Sequence, residues 1–195
     1  MASRVVLIGC GGIGSQLAGP LTRYLASRPV PQPVLVLVDG DRFEATNLAR
    51  QACSVGDLGT PKAEVAGRLA RSAGLAVQVI PEHVTAANVG LIVREGDLVL
   101  LAVDNHRARA LVDRHVATLR DATLISGGND ETDGNVQLVR RDGYFVTNLM
   151  VASAMLNALW AVIEHGSVPY SEVYLDVIAG VARPRRWIRL EAGMQ

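Results

Sequence analysis

The stretch Val5-Val6-Leu7-Ile8-Gly9-Cys10-Gly11-Gly12-Ile13-Gly14-Ser15 runs four apolar residues straight into a G-x-G-x-x-G pattern. An unbroken aliphatic run, without polar alternation, predicts a strand covered on both faces, as in a parallel sheet flanked by helices. Gly9, Gly11, Gly12 and Gly14 permit a tight turn and leave room for an anion close to the backbone, at the positive end of the helix that follows. That helix is predicted over Ser15 to Ser27, where Leu17, Leu21, Tyr24 and Leu25 recur at helical spacing and Gly19-Pro20 is expected to distort the early turns. Strand, glycine turn and helix in this order signify a nucleotide site without specifying the nucleotide.

Outward from this unit the alternation continues. Pro29 to Pro33 interrupts the chain, and Val34-Leu35-Val36-Leu37-Val38 predicts a second buried strand ending at Asp39. Residues 40–59 are polar and lack a period, and read as a functional loop containing a short helical piece. Pro61 opens a helix to about Ser72, with Val65 and Leu69 expected to face inward. Val77–Ile80, Leu98–Val103 and Ala122–Ile125 read as strands, the last ending at Ser126, with helices over Ala86–Arg94 and His106–Leu119 between them. After Ser126 the grammar changes. Asn135–Val139 alternates like an antiparallel strand, Leu149–Ile163 is an apolar helix, and Glu172–Val177 with Arg186–Leu190 reads as a terminal hairpin. The expected fold is α/β: a Rossmann-like, doubly wound, mostly parallel sheet with an antiparallel C-terminal extension, in a single domain over 1–195.

Composition narrows the function classes. Hydrophobic residues make up 49% of the 195 and charged residues 19%, enough for a sizeable core. Nineteen Lys and Arg balance nineteen Asp and Glu, so no field of one sign exists to hold nucleic acid or an anionic membrane, and any polyanion is met locally. The apolar stretch Leu149–Ile163 is 15 residues long and interrupted by Ser153 and Asn157. That falls short of the roughly 20 residues that span a bilayer, and a buried helix is expected. The first strand breaks at its glycines too soon for a secretory signal, and Cys10 and Cys53 cannot build a disulfide framework. A cytoplasmic protein is expected, with no nucleic-acid and no membrane partner.

The polar loop separates one cofactor class from another. Asp39, at the end of the second strand, suits the ribose of NAD and of ATP alike. Asn47, Arg50 and Gln51 cluster in the loop, Lys62 follows at a helix start, and the fourth strand runs out at Asp104-Asn105, across the switch point from the glycine turn. Hydride transfer needs little cationic charge beyond a diphosphate clamp, whereas a triphosphate needs forked guanidinium donors, an ammonium and a carboxylate for Mg²⁺. The set favours Mg·ATP. Lys62 is the one lysine beside eighteen arginines. Taken singly, each residue has a plainer role: Arg50 as a solvated loop charge, Lys62 as a helix-surface charge, Asp104 as the N-cap of the next helix.

Val38-Asp39-Gly40-Asp41-Arg42-Phe43-Glu44-Ala45-Thr46-Asn47-Leu48-Ala49-Arg50-Gln51, followed by Gly59-Thr60-Pro61-Lys62-Ala63-Glu64, resembles the long D-x-D-x-V-E-x-x-N-L-x-R-Q…G-x-x-K-A-E signature of the ThiF/MoeB and ubiquitin-activating enzyme superfamily. Asp104-Asn105-His106-Arg107-Ala108-Arg109 is similar to its D-N-x-x-x-R element, and Ser126-Gly127-Gly128 with Gly134-Asn135-Val136 to its later strands. The proline-rich spacer before the second strand is similar to that of the ThiF-type proteins of PRTRC plasmid-associated systems. The resemblance implies an enzyme that uses ATP to adenylate the C-terminal glycine of a ubiquitin-like or sulfur-carrier protein or peptide, releasing pyrophosphate. By motif correspondence Gly9, Gly11, Gly12 and Gly14 approach the nucleotide and Asp39 holds the ribose. Asn47, Arg50, Gln51 and Lys62 hold phosphates, Asn105 lines the site, and Asp104, with Asp41 nearby, carries Mg²⁺. Arg50, Lys62 and Asp104 would then be catalytic, and a homodimer is implied.

The sequence also departs from the pattern. Many members place an arginine-bearing helical segment ahead of the first strand, and none is read here. There are no C-x-x-C pairs, so no zinc is expected, and no cysteine lies between Val136 and Met150, where an acceptor commonly sits. Neither Cys10 nor Cys53 is expected to be a nucleophile. His83, His106, His115 and His165 show no ligand spacing. Trp160 and Met155 are expected in a core or subunit interface. Two alternatives stay open from sequence alone: an inactive nucleotide-binding module acting through partner contacts, and an NAD-dependent oxidoreductase.

Overall fold

The computed structural model describes residues 3–129, 134–138, 172–176 and 181–185. β1 (Arg4–Ile8) leads through the glycine turn into α1 (Gly12–Ala26), then β2 (Val34–Val38). Two short 3-10 turns (Ala45–Asn47 and Val55–Asp57) precede α2 (Lys62–Ser72), β3 (Val77–Ile80), α3 (Val89–Ile92) and β4 (Leu98–Leu101). α4 (His106–Val116), β5 (Thr123–Asn129) and β6 (Gly134–Leu138) follow. The sheet order is β3-β2-β1-β4-β5-β6, parallel except for β6, which runs antiparallel to β5. Strands are added on one side of β1 as far as β3, and the chain then crosses to place β4 on the other side. The carboxyl ends of β1 and β4 therefore border the crevice in which open α/β sheets receive ligands. The expected doubly wound sheet with an antiparallel extension is the one observed.

Each inner strand feeds two cores, because consecutive side chains face opposite ways. Val5, Leu7, Leu35 and Leu37 pack with Leu21 and Leu25 of α1 and with Ala63, Ala66 and Ala70 of α2. Val6, Ile8, Val36, Val38, Val99 and Leu101 pack on the opposite face with α3 and α4, through Val89, Ile92, Val112 and Val116. Burial on both faces explains the unbroken aliphatic runs, and each fully buried Val, Leu or Ile contributes about 1.5–3 kcal/mol.

α2 departs from its sequence periodicity. Its inward face is Ala63, Ala66, Gly67 and Ala70, while Leu69 is 46% exposed and Val65 only half-buried. A Cβ at Gly67 would stand 2.6 Å from Val79 Cγ2, so the helix lies too close to the sheet for anything but small residues. Clearance, not hydrophobicity, selects this face.

Element ends also shift. α1 starts at Gly12 rather than Ser15 and continues through Pro20, whose missing donor removes the α-helical hydrogen bond to the carbonyl of Gln16, an exposed residue. β4 stops at Leu101: Ala102 N–H still donates to the Ile8 carbonyl (2.8 Å), and the chain then passes over Gly9 at the Ala102–Val103 peptide. β5 continues beyond Ser126, since Gly127, Gly128 and Asn129 pair with Val136, Asn135 and Gly134. α3 and α4 are shorter than their sequence patterns, at Val89–Ile92 and His106–Val116.

Internal contacts divide the chain into two compact units, Met1–Arg141 and Asp142–Gln195. The first contains the six-stranded sheet. In the second, β7 (Glu172–Asp176) pairs antiparallel with β8 (Val181–Arg185), so the hairpin partner begins at Val181 and not at Arg186. Pro184 hid this strand from pattern reading. It lacks an amide donor, which this ribbon tolerates because among the described residues each strand is paired on one side only. The apolar stretch Leu149–Ile163 with Met155 and Trp160, His165, and Arg186–Leu190 lie outside the described residues. Among the described residues no helix is long and apolar enough to cross a membrane.

Candidate functional site

The glycine turn is fixed by close approaches. Gly9 has φ 93°, and a Cβ there would lie 2.8 Å from the carbonyl carbon and oxygen of Ala102. A Cβ at Gly14 would fall 1.8 Å from the Gly9 carbonyl oxygen, so no side chain fits. Gly11 is the N-cap residue of α1 and no side chain caps the helix. The amides of Gly12, Ile13 and Gly14 thus have no intrahelical acceptor and present donors and the positive end of the dipole to the crevice.

Three nitrogen donors converge on this turn from outside it. A Cβ built at Gly11 would sit 3.9 Å from Gln51 Nε2 and 4.0 Å from Lys62 Nζ, and one at Gly12 would sit 4.0 Å from Arg50 Nη1. The absent side chains of Gly11 and Gly12 leave a cradle walled by a guanidinium, an amide and an ammonium. Gln51 is 6% exposed, yet its Oε1 is buried with no hydrogen-bond partner among the described residues. Arg50 is exposed and makes no ion pair or side-chain hydrogen bond among them.

The loop that delivers Arg50 and Gln51 is ordered from within. Its neck is closed by Phe43 N–H donating to the Thr60 carbonyl (3.0 Å) and Gly59 N–H to the Phe43 carbonyl (2.8 Å). Glu44 and Asn47 cap the first 3-10 turn reciprocally, as Ser54 and Asp57 do the second. Hydrogen bonds from Ser54 are the main influence holding the Asp57 carboxyl below its usual range. Asn47 is 5% exposed and spends its Oδ1 on Glu44 N–H (3.0 Å), leaving its NH₂ without a partner among the described residues. Ser15, a residue sequence reasoning missed, accepts Ala52 N–H at its Oγ (3.0 Å) and ties the loop to the first turn of α1.

Asp39 bridges the same elements, its Oδ2 accepting from Cys10 N–H (2.6 Å) and its Oδ1 from Asp41 N–H (2.8 Å). A carboxylate has about four acceptor positions, so capacity for sugar hydroxyls remains. Lys62 is 8% exposed, with its Nζ 3.3 Å from Asp41 Oδ2 and 6.0 Å from the centroid of the Phe43 ring. Asp41 is half open to water and has His83 Nε2 3.6 Å from its other oxygen. Lys62 is therefore no helix-surface charge.

Beyond β4, Asn105 and not Asp104 caps α4, its Oδ1 accepting from Arg107 N–H (2.8 Å) and Ala108 N–H (3.3 Å). Asn105 is thus primarily a helix cap. Asp104 is exposed at the same end of the sheet and makes no hydrogen bond or ion pair among the described residues. Arg109 reaches back from α4 to the carbonyls of Val103 and Gly127 and to Ser126 Oγ (2.9 Å). Arg50, Gln51 and Lys62 are thus brought to one cradle, Asp39 and Asp41 to its β2 side, and Asp104 to the end of the neighbouring strand. No group of three or more His, Cys, Asp or Glu suited to a metal occurs among the described residues. Burial, with Asp39 adding, pushes the Cys10 thiol far above its usual range, which keeps it protonated and inert.

The ThiF family profile matches residues 1–155. The "SAMP-activating enzyme E1" of Haloferax volcanii is 34% identical over 146 residues, covering 73% of this chain and 52% of that protein. The "sulfur carrier protein adenylyltransferase" of Thermus thermophilus is 35% identical over 135 residues, covering 68% and 47%. The chain spans about half the length of these two relatives. A crystal structure of E. coli MccB with AMPCPP and MccA superposes with a TM-score of 0.59 at 23% identity, over 79% of this chain and 46% of that one, a likeness of fold. The signature running from Asp39 to Lys62, the crevice it furnishes and the match over residues 1–155 agree: this chain belongs to the ThiF family.

Proposed function

We propose that the chain is an ATP-dependent adenylyltransferase that activates the C-terminal carboxylate of a ubiquitin-like or sulfur-carrier protein or peptide. The observation that carries this is the convergence of Arg50, Gln51 and Lys62 on Gly11 and Gly12. A cradle with one forked cation, one point cation and free helix amides suits a chain of phosphates better than the diphosphate of NAD. Names of relatives that adenylate sulfur carriers and activate SAMP point the same way.

In this reading the carrier carboxylate attacks the α-phosphorus in line. A C–O–P bond forms, the α–β phosphoanhydride breaks, and pyrophosphate leaves with the electron pair. Asp39 holds the ribose. Arg50 and Lys62 offset charge accumulating on phosphoryl oxygens, and Gln51 and the Asn47 NH₂ orient them. Lys62 must give up part of its contact with Asp41 to do so. Mg²⁺ fits the residues present: it needs only one or two carboxylates when phosphates and water complete its shell, and Asp104 has an exposed carboxylate without a partner among the described residues. Bound there, with Asp41 nearby, it would neutralise phosphate charge. The chain works as one adenylation domain, in a homodimer and in the cytoplasm.

ATP–pyrophosphate exchange, measured with candidate carriers ending in glycine, tests the reading. Exchange that depends on the carrier supports it. ATP binding without exchange for any carrier favours an inactive module, and reduction of a nicotinamide would overturn both.

A further inference from the structure

A half-buried guanidinium ordinarily finds a carboxylate, yet Arg109 has none among the described residues. All of its hydrogen bonds go to neutral acceptors: the Val103 carbonyl, the Gly127 carbonyl and Ser126 Oγ. These acceptors sit where two strands part. β4 and β5 pair up to Leu101 and Ser126, after which β4 leaves the sheet and β5 continues to Asn129 against β6. The guanidinium stands in the fork, joining Val103 on one branch to Ser126 and Gly127 on the other.

The consequence falls on the residue next to Val103. Asp104 lies between a carbonyl held by Arg109 and an Asn105 side chain held by two amides of α4. The backbone is therefore tied on both sides of Asp104, while its carboxylate remains exposed and without a partner among the described residues. Asp39, Asp41, Asp57 and Asp97 are all engaged by hydrogen bonds or ion pairs. A fixed backbone under an unpaired acid is the arrangement a hard cation needs, since the ligand is aimed before the ion arrives.

We propose that Arg109 is a positioning residue for a divalent cation at Asp104, acting through the Val103 carbonyl. It rests on the reading that Asp104 holds the metal beside the phosphates. Arg109 touches neither nucleotide nor metal; it sets the direction in which the carboxylate points.

The test uses the full chain, AMPCPP and Mn²⁺, with free Mn²⁺ followed by electron paramagnetic resonance and metal-free AMPCPP binding followed by calorimetry. Arg109→Ala should weaken Mn²⁺ binding in the ternary complex by about tenfold, with metal-free AMPCPP affinity within about twofold of wild type. Should Arg109→Ala not fold, Arg109→Lys, which keeps the charge but cannot fork across both branches, should weaken Mn²⁺ by about threefold. Unchanged Mn²⁺ affinity in the folded variants overturns the proposal. So does a loss of metal and nucleotide binding together, which would mark a general loosening of the fold. Asp104→Asn is the control: if it leaves Mn²⁺ affinity intact, the metal assignment fails, and if it alone weakens Mn²⁺, only the role of Arg109 fails.

Discussion

The two ends of the parallel sheet each hold a basic side chain against an aspartate, and they differ in completeness. At the amino end, Arg4 Nη1 lies 3.0 Å from Asp97 Oδ2, with side chains 15% and 2% exposed. Further hydrogen bonds hold both partners there: Arg4 Nη2 donates to the Ile92 carbonyl (3.0 Å), and Arg94 N–H donates to Asp97 (2.8 Å). At the carboxyl end, Lys62 and Asp41 are 3.3 Å apart with exposures of 9% and 56%, and the ammonium also stands 4.0 Å from the place a Cβ would take at Gly11. A pair closed on every side is a fastening. A pair with one partner buried and the other wet can exchange that partner for a ligand's charge.

Breaking the closed pair should have the larger effect. Asp97→Ala leaves a guanidinium poorly solvated and is expected to cost about 3–5 kcal/mol in chemical denaturation. A loss below about 1 kcal/mol would show that water enters that end and erase the contrast. Lys62→Ala should do the reverse, lowering ATP–pyrophosphate exchange by about 10²–10³-fold with a smaller stability loss than Asp97→Ala. Equal damage to both quantities would mean that Lys62 is a fastening too.

Smaller effects sharpen the comparison. Asn105→Ala removes the side-chain cap of α4 and should cost about 1 kcal/mol in urea unfolding. Because Asn105 spends its oxygen on the helix, nucleotide affinity should change less than with Arg50→Ala. The subtlest effect is on pH dependence. Burial, the largest influence on Asp97, raises its carboxyl above the ordinary 3.8, with Arg94 N–H and Arg4 opposing. The folded chain then holds this proton more tightly than the unfolded one. Its contribution is present in full below the unfolded value and is lost as pH rises through the folded one. Wild-type stability minus that of Asp97→Asn should accordingly decline from about pH 4 upward, and a difference that grows with pH would reverse the sign.

Much of the sheet was legible because burial on both faces writes itself as unbroken aliphatic runs, as at Leu35–Val38. The candidate site left its marks in composition: a glycine turn after the first strand, an Arg-Gln pair in the polar loop and the lone lysine at the helix start that follows it. What sequence could not show depends on distance. Nothing in the spacing of Leu69 reveals that α2 lies too close to the sheet for a leucine. Asp104 and Asn105 are equally good caps by chemistry, and only backbone direction awards the role to Asn105. Ser15 and Arg109 act through contacts with Ala52 and with Gly127, remote in sequence: the D-N-x-x-x-R resemblance marks Arg109 without saying what it touches, and Ser15 stands out only as a polar residue beside the glycine turn.

Gly67 stands on the helix that carries Lys62, with room for a hydrogen atom alone between that helix and Val79. The height of the ammonium over the pocket is therefore gauged by a residue far below it that never meets a ligand. Drift can repaint the wet side of the helix at little cost, whereas one methyl at 67 would act as a shim, tilting the whole rod and detuning the pocket from beneath.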